Sequence, residues 1–145
     1  NGDPQWDSIS TYNGMQERLT NAAVRMADSI EASISPVGVA WKYVRDTYPT
    51  INLYSSDGSH PSFEGSYLAA CTFYASLFRK TPVGASYIGS LSSATATILQ
   101  NAAALKDQEW CRTLTQLTFG DLIWIAHAPP GILLPPGSFS NLLSS

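Results

Sequence analysis

Residues 63–79 form a stretch whose apolar side chains do not keep to one side. Leu68, Cys71, Ala75 and Phe78 recur at three- and four-residue spacing, and Tyr67, Tyr74 and Leu77 widen that stripe. A helix this broadly apolar calls for neighbours on both sides, so the rest of the chain has to cover it in layers. Its ends are well marked. Ser62 stands where its hydroxyl caps the first turn. Arg79 and Lys80 suit the negative C-terminal end, and Pro82 then stops the helix.

The flanking elements are mostly helical. Residues 14–33 place Met15, Leu19, Ala22, Met26 and Ile30 on one face, with Asn13 as cap and Gln16 in capping-box position. Residues 38–48 put Ala40, Trp41, Val44 and Tyr48 on one face, and Pro49 ends that helix. A fourth helix starts from a cap at Ser92 or Ser93 and runs to about residue 108 through Ala94, Ile98, Ala102 and Leu105. Between these lie short extended runs. Residues 34–37, broken by Pro36, fit an edge or final strand or an extended entry to the next helix. Residues 51–54 deliver the chain to a turn, and 122–125 read as a further strand. The last stretch carries Pro129-Pro130-Gly131 and Pro135-Pro136-Gly137 and shows no periodicity.

That turn, Asp57-Gly58-Ser59-His60-Pro61-Ser62, carries the chemistry. A carboxylate and an imidazole three residues apart bring their side chains to the same side. Acyl-transfer enzymes use this pair: the carboxylate orients one ring nitrogen, and the other takes a proton from a serine. Gly58 lets the turn close tightly. Asp57 and His60 are therefore the candidate catalytic residues. The competing reading is a structural turn, with Asp57 as a cap and His60 exposed. Ser55, Ser56, Ser59 and Ser62 share the loop with His60, so they compete for its conformation instead of approaching it across a cleft. Trp41 and Tyr67 fit either a substrate cleft or the core.

Asp57-x-x-His60-Pro61 resembles the last block of the SGNH (GDSL-type) esterase and lipase superfamily, where both residues sit on one loop. Ser35-Pro36-Val37-Gly38-Val39-Ala40-Trp41 and Gly65-Ser66-Tyr67-Leu68-Ala69-Ala70-Cys71 resemble a branch of secreted, mostly uncharacterised bacterial members. The likeness runs from about residue 1 to residue 80. It implies a three-layer α/β/α fold, of which this chain is the helix-rich C-terminal part. It also implies an ester hydrolase acting on an acyl or carbohydrate ester. Residues 1–82 then belong to the hydrolase domain, 83–120 are a helical extension, and 121–145 are a Pro/Gly/Ser-rich tail or linker.

The chain departs from the family at the nucleophile. There is no Gly-Asp-Ser: Gly2-Asp3 is followed by Pro4 and Gly120-Asp121 by Leu122. The expected partner is thus a missing N-terminal half or a separate chain carrying the serine, with Asn1 read as a cleavage boundary. A non-catalytic helical interaction module is the other reading.

Composition narrows the remaining options. Hydrophobic residues make up 44%, as in a globular protein, and charged residues only 13%. The net charge of -3 with no basic run gives no support for nucleic-acid binding. No apolar run approaches the ~20 residues that span a bilayer. Low charge and abundant Ser and Thr fit a secreted or periplasmic bacterial protein. Cys71 reads as a buried free thiol on the apolar face of its helix, with a disulfide to Cys111 as the alternative that an exported protein permits. Neither they nor His60 and His127 have metal-ligand spacing, Asp3 and Asp7 have no spaced partner, and no cofactor is implied.

Overall fold

The computed structural model describes residues 5–115. After a short 3-10 turn at Asp7–Ile9 come four helices: α1 (Tyr12–Ser29), α2 (Val37–Thr47), α3 (Phe63–Phe78) and α4 (Ser93–Thr115). Among the described residues there is no strand. The one β feature is an isolated antiparallel bridge between Tyr54 and Pro61. The expected α/β three-layer architecture is therefore corrected to an all-helical one. The physical reason lies in the two extended runs. Each is only four residues long, Pro36 lacks a ladder donor, and neither finds a neighbouring strand to pair with. Helix-on-helix packing closes the core in their place. The segment 122–125 falls outside the described residues.

Local capping sets the boundaries. α1 begins before residue 14 because the Thr11 hydroxyl, not Asn13, accepts the Gly14 N–H at 3.1 Å. Gln16 does not complete a capping box; its amide donates to Thr20 Oγ1 at 3.2 Å. The helix stops four residues early, in a turn where Glu31 takes a left-handed φ of 53°. Ser35 precedes a proline, which disfavours helical backbone there. The Ser62 and Ser92 caps form: their hydroxyls accept from Gly65 N and Thr95 N, both at 3.1 Å. α4 continues seven residues beyond the predicted end.

The core is built by α2, α3 and α4. Ala40 and Val44 of α2, Leu68 and Cys71 of α3, and Leu99 and Ala103 of α4 are buried together. Tyr67 pairs with Gln100, Ser76 with Asp107 and Arg79 with Cys111. α3 and α4 therefore run in the same direction, and 79–92 must return along them. Gln100 ties that return down. It is buried, and its amide donates to Tyr67 Oη at 2.8 Å and to Ala85 O at 3.1 Å. Its carbonyl accepts from Gly84 N at 2.9 Å, and Tyr67 Oη donates to Tyr87 O at 2.8 Å. A buried amide with all these bonds made rigidifies its surroundings. α1 is peripheral. None of its residues is buried, and Leu19, Met26 and Ile30 of its apolar face lie exposed.

Candidate functional site

The Asp57 loop is held by its own backbone before any side chain acts. Ser55 N donates to His60 O at 2.8 Å, Ser62 N to Leu53 O at 3.0 Å, and Gly58 N to Ser55 O at 3.0 Å. Gly58 takes φ +68°, a left-handed conformation that a side chain would strain. Two serine hydroxyls brace the frame. Ser55 Oγ donates to Pro61 O and Ser62 Oγ to Asn52 O, both at 2.8 Å. The loop thus leads straight into the capped first turn of α3.

Within this frame Asp57 and His60 meet. Asp57 Oδ1 accepts the N–H groups of Ser59 at 2.9 Å and His60 at 3.0 Å. Its Oδ2 lies 2.6 Å from His60 Nδ1. The hydrogen bond with His60 holds the Asp57 carboxyl below its ordinary range, with the Ser59 and His60 amides adding to the effect. An ionised carboxylate only accepts, so Nδ1 carries the proton in this contact. With Nδ1–H so held, Nε2 is the nitrogen placed to act as a general base. The imidazole is 80% exposed and the carboxylate side chain 49%. The pair is built on the surface, open to whatever approaches it.

What the described residues do not bring to His60 is a nucleophile. The hydroxyls of Ser55 and Ser62 are spent on backbone carbonyls, as their place on the same loop foretells. A cavity of about 500 Å³ lies at the foot of the loop, lined by Arg45, Pro49, Ile51, Asn52, Leu53 and Tyr54. Arg45 stacks its guanidinium 3.9 Å over the Tyr12 ring. Trp41 meets Tyr54 edge-on with centroids 5.3 Å apart. Tyr67 is buried, so it belongs to the core and not to a cleft.

Cys71 is buried and Cys111 half-buried, and they form no disulfide. Burial pushes both thiols up. Arg79 Nη1 donates to Cys111 Sγ at 3.3 Å. No group of three or more His, Cys, Asp or Glu side chains gathers among the described residues. No helix among them is long and apolar enough to cross a membrane. Asn1, Asp3, the Gly120-Asp121 pair, His127 and the tail lie outside the described residues.

Sequence reasoning missed two structural residues, one beside the site and one in the core. Gly65 has no room for a side chain, because a Cβ would sit closer than 3.0 Å to Leu53 O and Trp41 Cη2. Gln100 reads in sequence as an ordinary polar helix residue. A Gly in the first turn of an otherwise well-formed helix is the one signal that pointed to the former. Comparison with known proteins adds nothing to this geometry: no family model, curated protein or solved structure matches the chain.

Proposed function

We propose that this chain supplies the proton-handling part of a serine ester hydrolase of the SGNH kind. Asp57 orients His60, and His60 Nε2 takes the proton from a serine hydroxyl as that oxygen attacks an ester carbonyl. The serine belongs to a missing N-terminal half or a partner chain. The substrate is a small acyl ester or carbohydrate ester. The observation that carries this reading is the 2.6 Å contact between Asp57 Oδ2 and His60 Nδ1 on a tightly braced loop, with the imidazole left open. The likeness of the loop and both its flanks to SGNH sequences supports it.

A second reading is a non-catalytic helical module. It is favoured by the helical core that the described residues close among themselves. Hydrolysis of a short-chain aryl ester by three proteins separates the two. These are the chain alone, the chain extended upstream to include a Gly-Asp-Ser block, and that extended chain with His60→Ala. We expect turnover only in the second. Equal turnover with and without His60 in the extended chain removes the catalytic assignment, and inactivity of all three favours the module.

A further inference from the structure

Among the described residues, the outer face of α3 carries a row of uncovered apolar side chains. α3 buries Leu68, Cys71, Thr72 and Ala75 on its inner face. On the other side Ser66, Ala70, Phe73 and Leu77 follow one another at spacings of four, three and four residues, all exposed. Tyr74 and the half-buried Ala69 border that row. This is the seam spacing of a paired helix. No charged side chain interrupts it.

Its sizes are ordered along the helix. The N-terminal half of the seam is small: Ser66, Ala69 and Ala70. The C-terminal half is large: Phe73, Tyr74 and Leu77, which are 49%, 41% and 71% exposed. We propose that this face pairs with the same face of a second copy of the chain, with the two α3 helices antiparallel about a two-fold axis between residues 71 and 72. That axis places Leu77 of one copy opposite Ser66 of the other. It likewise sets Phe73 opposite Ala70, while Tyr74 and Ala69 flank the seam on opposite sides. Along the seam itself Leu77 and Phe73 each meet a small residue, which is what interdigitation across facing positions needs. The same register sets Lys80, just past the helix, over the exposed ring of Phe63 in the second copy, where an ammonium is attracted to the ring face. A parallel arrangement lacks this match, since it stacks Leu77 on Leu77 and leaves gaps at Ser66 and Ala70. An isologous contact of this kind closes on itself.

The area sets the strength. At ~200 Å² for a fully exposed large side chain, Phe63, Phe73, Tyr74 and Leu77 leave ~400 Å² of each copy to bury. The pair therefore buries on the order of 1,000 Å², at the low end for specific interfaces. The dimer is accordingly weak, with a micromolar dissociation constant.

Sedimentation equilibrium of the full chain from ~5 to ~500 µM spans that range of dissociation constants. The weight-average mass should climb from that of one 15.6 kDa chain toward twice that value. Leu77→Lys should hold the mass at one chain throughout, with an unchanged helical circular dichroism spectrum. Leu77→Lys combined with Ser66→Glu should restore the rise, because residues 66 and 77 of one helix are ~16 Å apart and can pair only across the axis. Cysteine cross-linking reads the same register without relying on charge. In a Cys111→Ser background with oxidised glutathione as the oxidant, Ser66→Cys with Leu77→Cys should link two chains, and either substitution alone should not. A parent mass that stays at one chain up to the highest concentration overturns the proposal. So does a rise that Leu77→Lys leaves unchanged, or cross-linking by Leu77→Cys alone, which signals parallel pairing.

Discussion

Replacing Gly65 by Ala tests how the candidate site is joined to the core. In a bare helix the change gains ~1 kcal/mol, since Gly is the poorer helix former. Here the added Cβ would lie closer than 3.0 Å to Leu53 O and to Trp41 Cη2, and 3.0 Å from Trp41 Cζ3. One neighbour is backbone and the other is an indole packed against Tyr54, so neither yields by rotating a flexible end. Overpacking of this kind costs ~1–3 kcal/mol, and two rigid obstacles place Gly65→Ala at the upper end or beyond. After the helix gain is subtracted, a net loss of ~2 kcal/mol remains. For a domain of this size that lowers Tm by roughly 10 °C. The assay is urea and thermal unfolding followed by far-UV circular dichroism, with Ser66→Ala as control. Ser66 is exposed on the same turn, so its substitution should change stability by only a few tenths of a kcal/mol. If Gly65→Ala proves as stable as the parent, α3 does not pack against Leu53 and Trp41 as described, and the bracing of the Asp57 loop fails with it.

Three further outcomes follow from other parts of the molecule. Gln100→Ala should cost ~3 kcal/mol in chemical denaturation, because it removes three hydrogen bonds, those to Tyr67 Oη and Ala85 O and the one from Gly84 N, at ~1 kcal/mol each. A double-mutant cycle with Tyr67→Phe should then show coupling of ~1 kcal/mol, and additivity of the two would refute the network. The Asp57 carboxyl is lowered in the folded chain, so its contact with His60 is fully present above the ordinary carboxyl range and is lost as pH falls through the lowered value. Its carbon-13 titration should have a midpoint below the model-peptide value of ~3.9, and a midpoint at or above it contradicts the 2.6 Å contact. Tyr12 is pushed up to about 12, chiefly by burial with Tyr54 adding to the effect, and among the described residues its buried hydroxyl makes no well-formed hydrogen bond. Its share of stability is complete below the ordinary tyrosine range and fades as pH rises through about 12. Tyr12→Phe should leave neutral-pH stability unchanged or slightly higher and remove the last step of the alkaline absorbance titration; a clear destabilisation would mean that the hydroxyl is bonded.

Much of this arrangement is legible in the residues themselves. The period of α3, the Ser62 and Ser92 caps and the prolines after α2 and α3 mark helices whose ends depend on local chemistry alone. The meeting of Asp57 and His60 is local too, since a three-residue span in a glycine turn leaves the side chains few other places. The absence of strands among the described residues was not legible. Whether four extended residues become a strand depends on a partner elsewhere in space, and the short runs at 34–37 and 51–54 look the same with or without one. The exposure of α1 eluded sequence for a related reason. Its apolar period is genuine, but period does not say whether another surface arrives to cover it. The Gln100 network was hidden because its bonds join residues 15 to 33 positions apart. The all-round apolarity of α3 was plain from the start, and its outer face remains open among the described residues.

The shared direction of α3 and α4 also bears on how the chain reaches this state. Antiparallel helices can zip from a short hairpin, but parallel ones cannot. None of the contacts from Tyr67–Gln100 to Arg79–Cys111 forms until the 79–92 return has retraced the ~24 Å length of α3. Docking of α4 therefore joins residues 31 to 33 positions apart, the non-local kind of contact that slows folding. A chain cut within residues 79–92 and refolded from its two pieces should recover the same core at a rate set by their concentrations, which turns the ordering of the helices into a measurable second-order step.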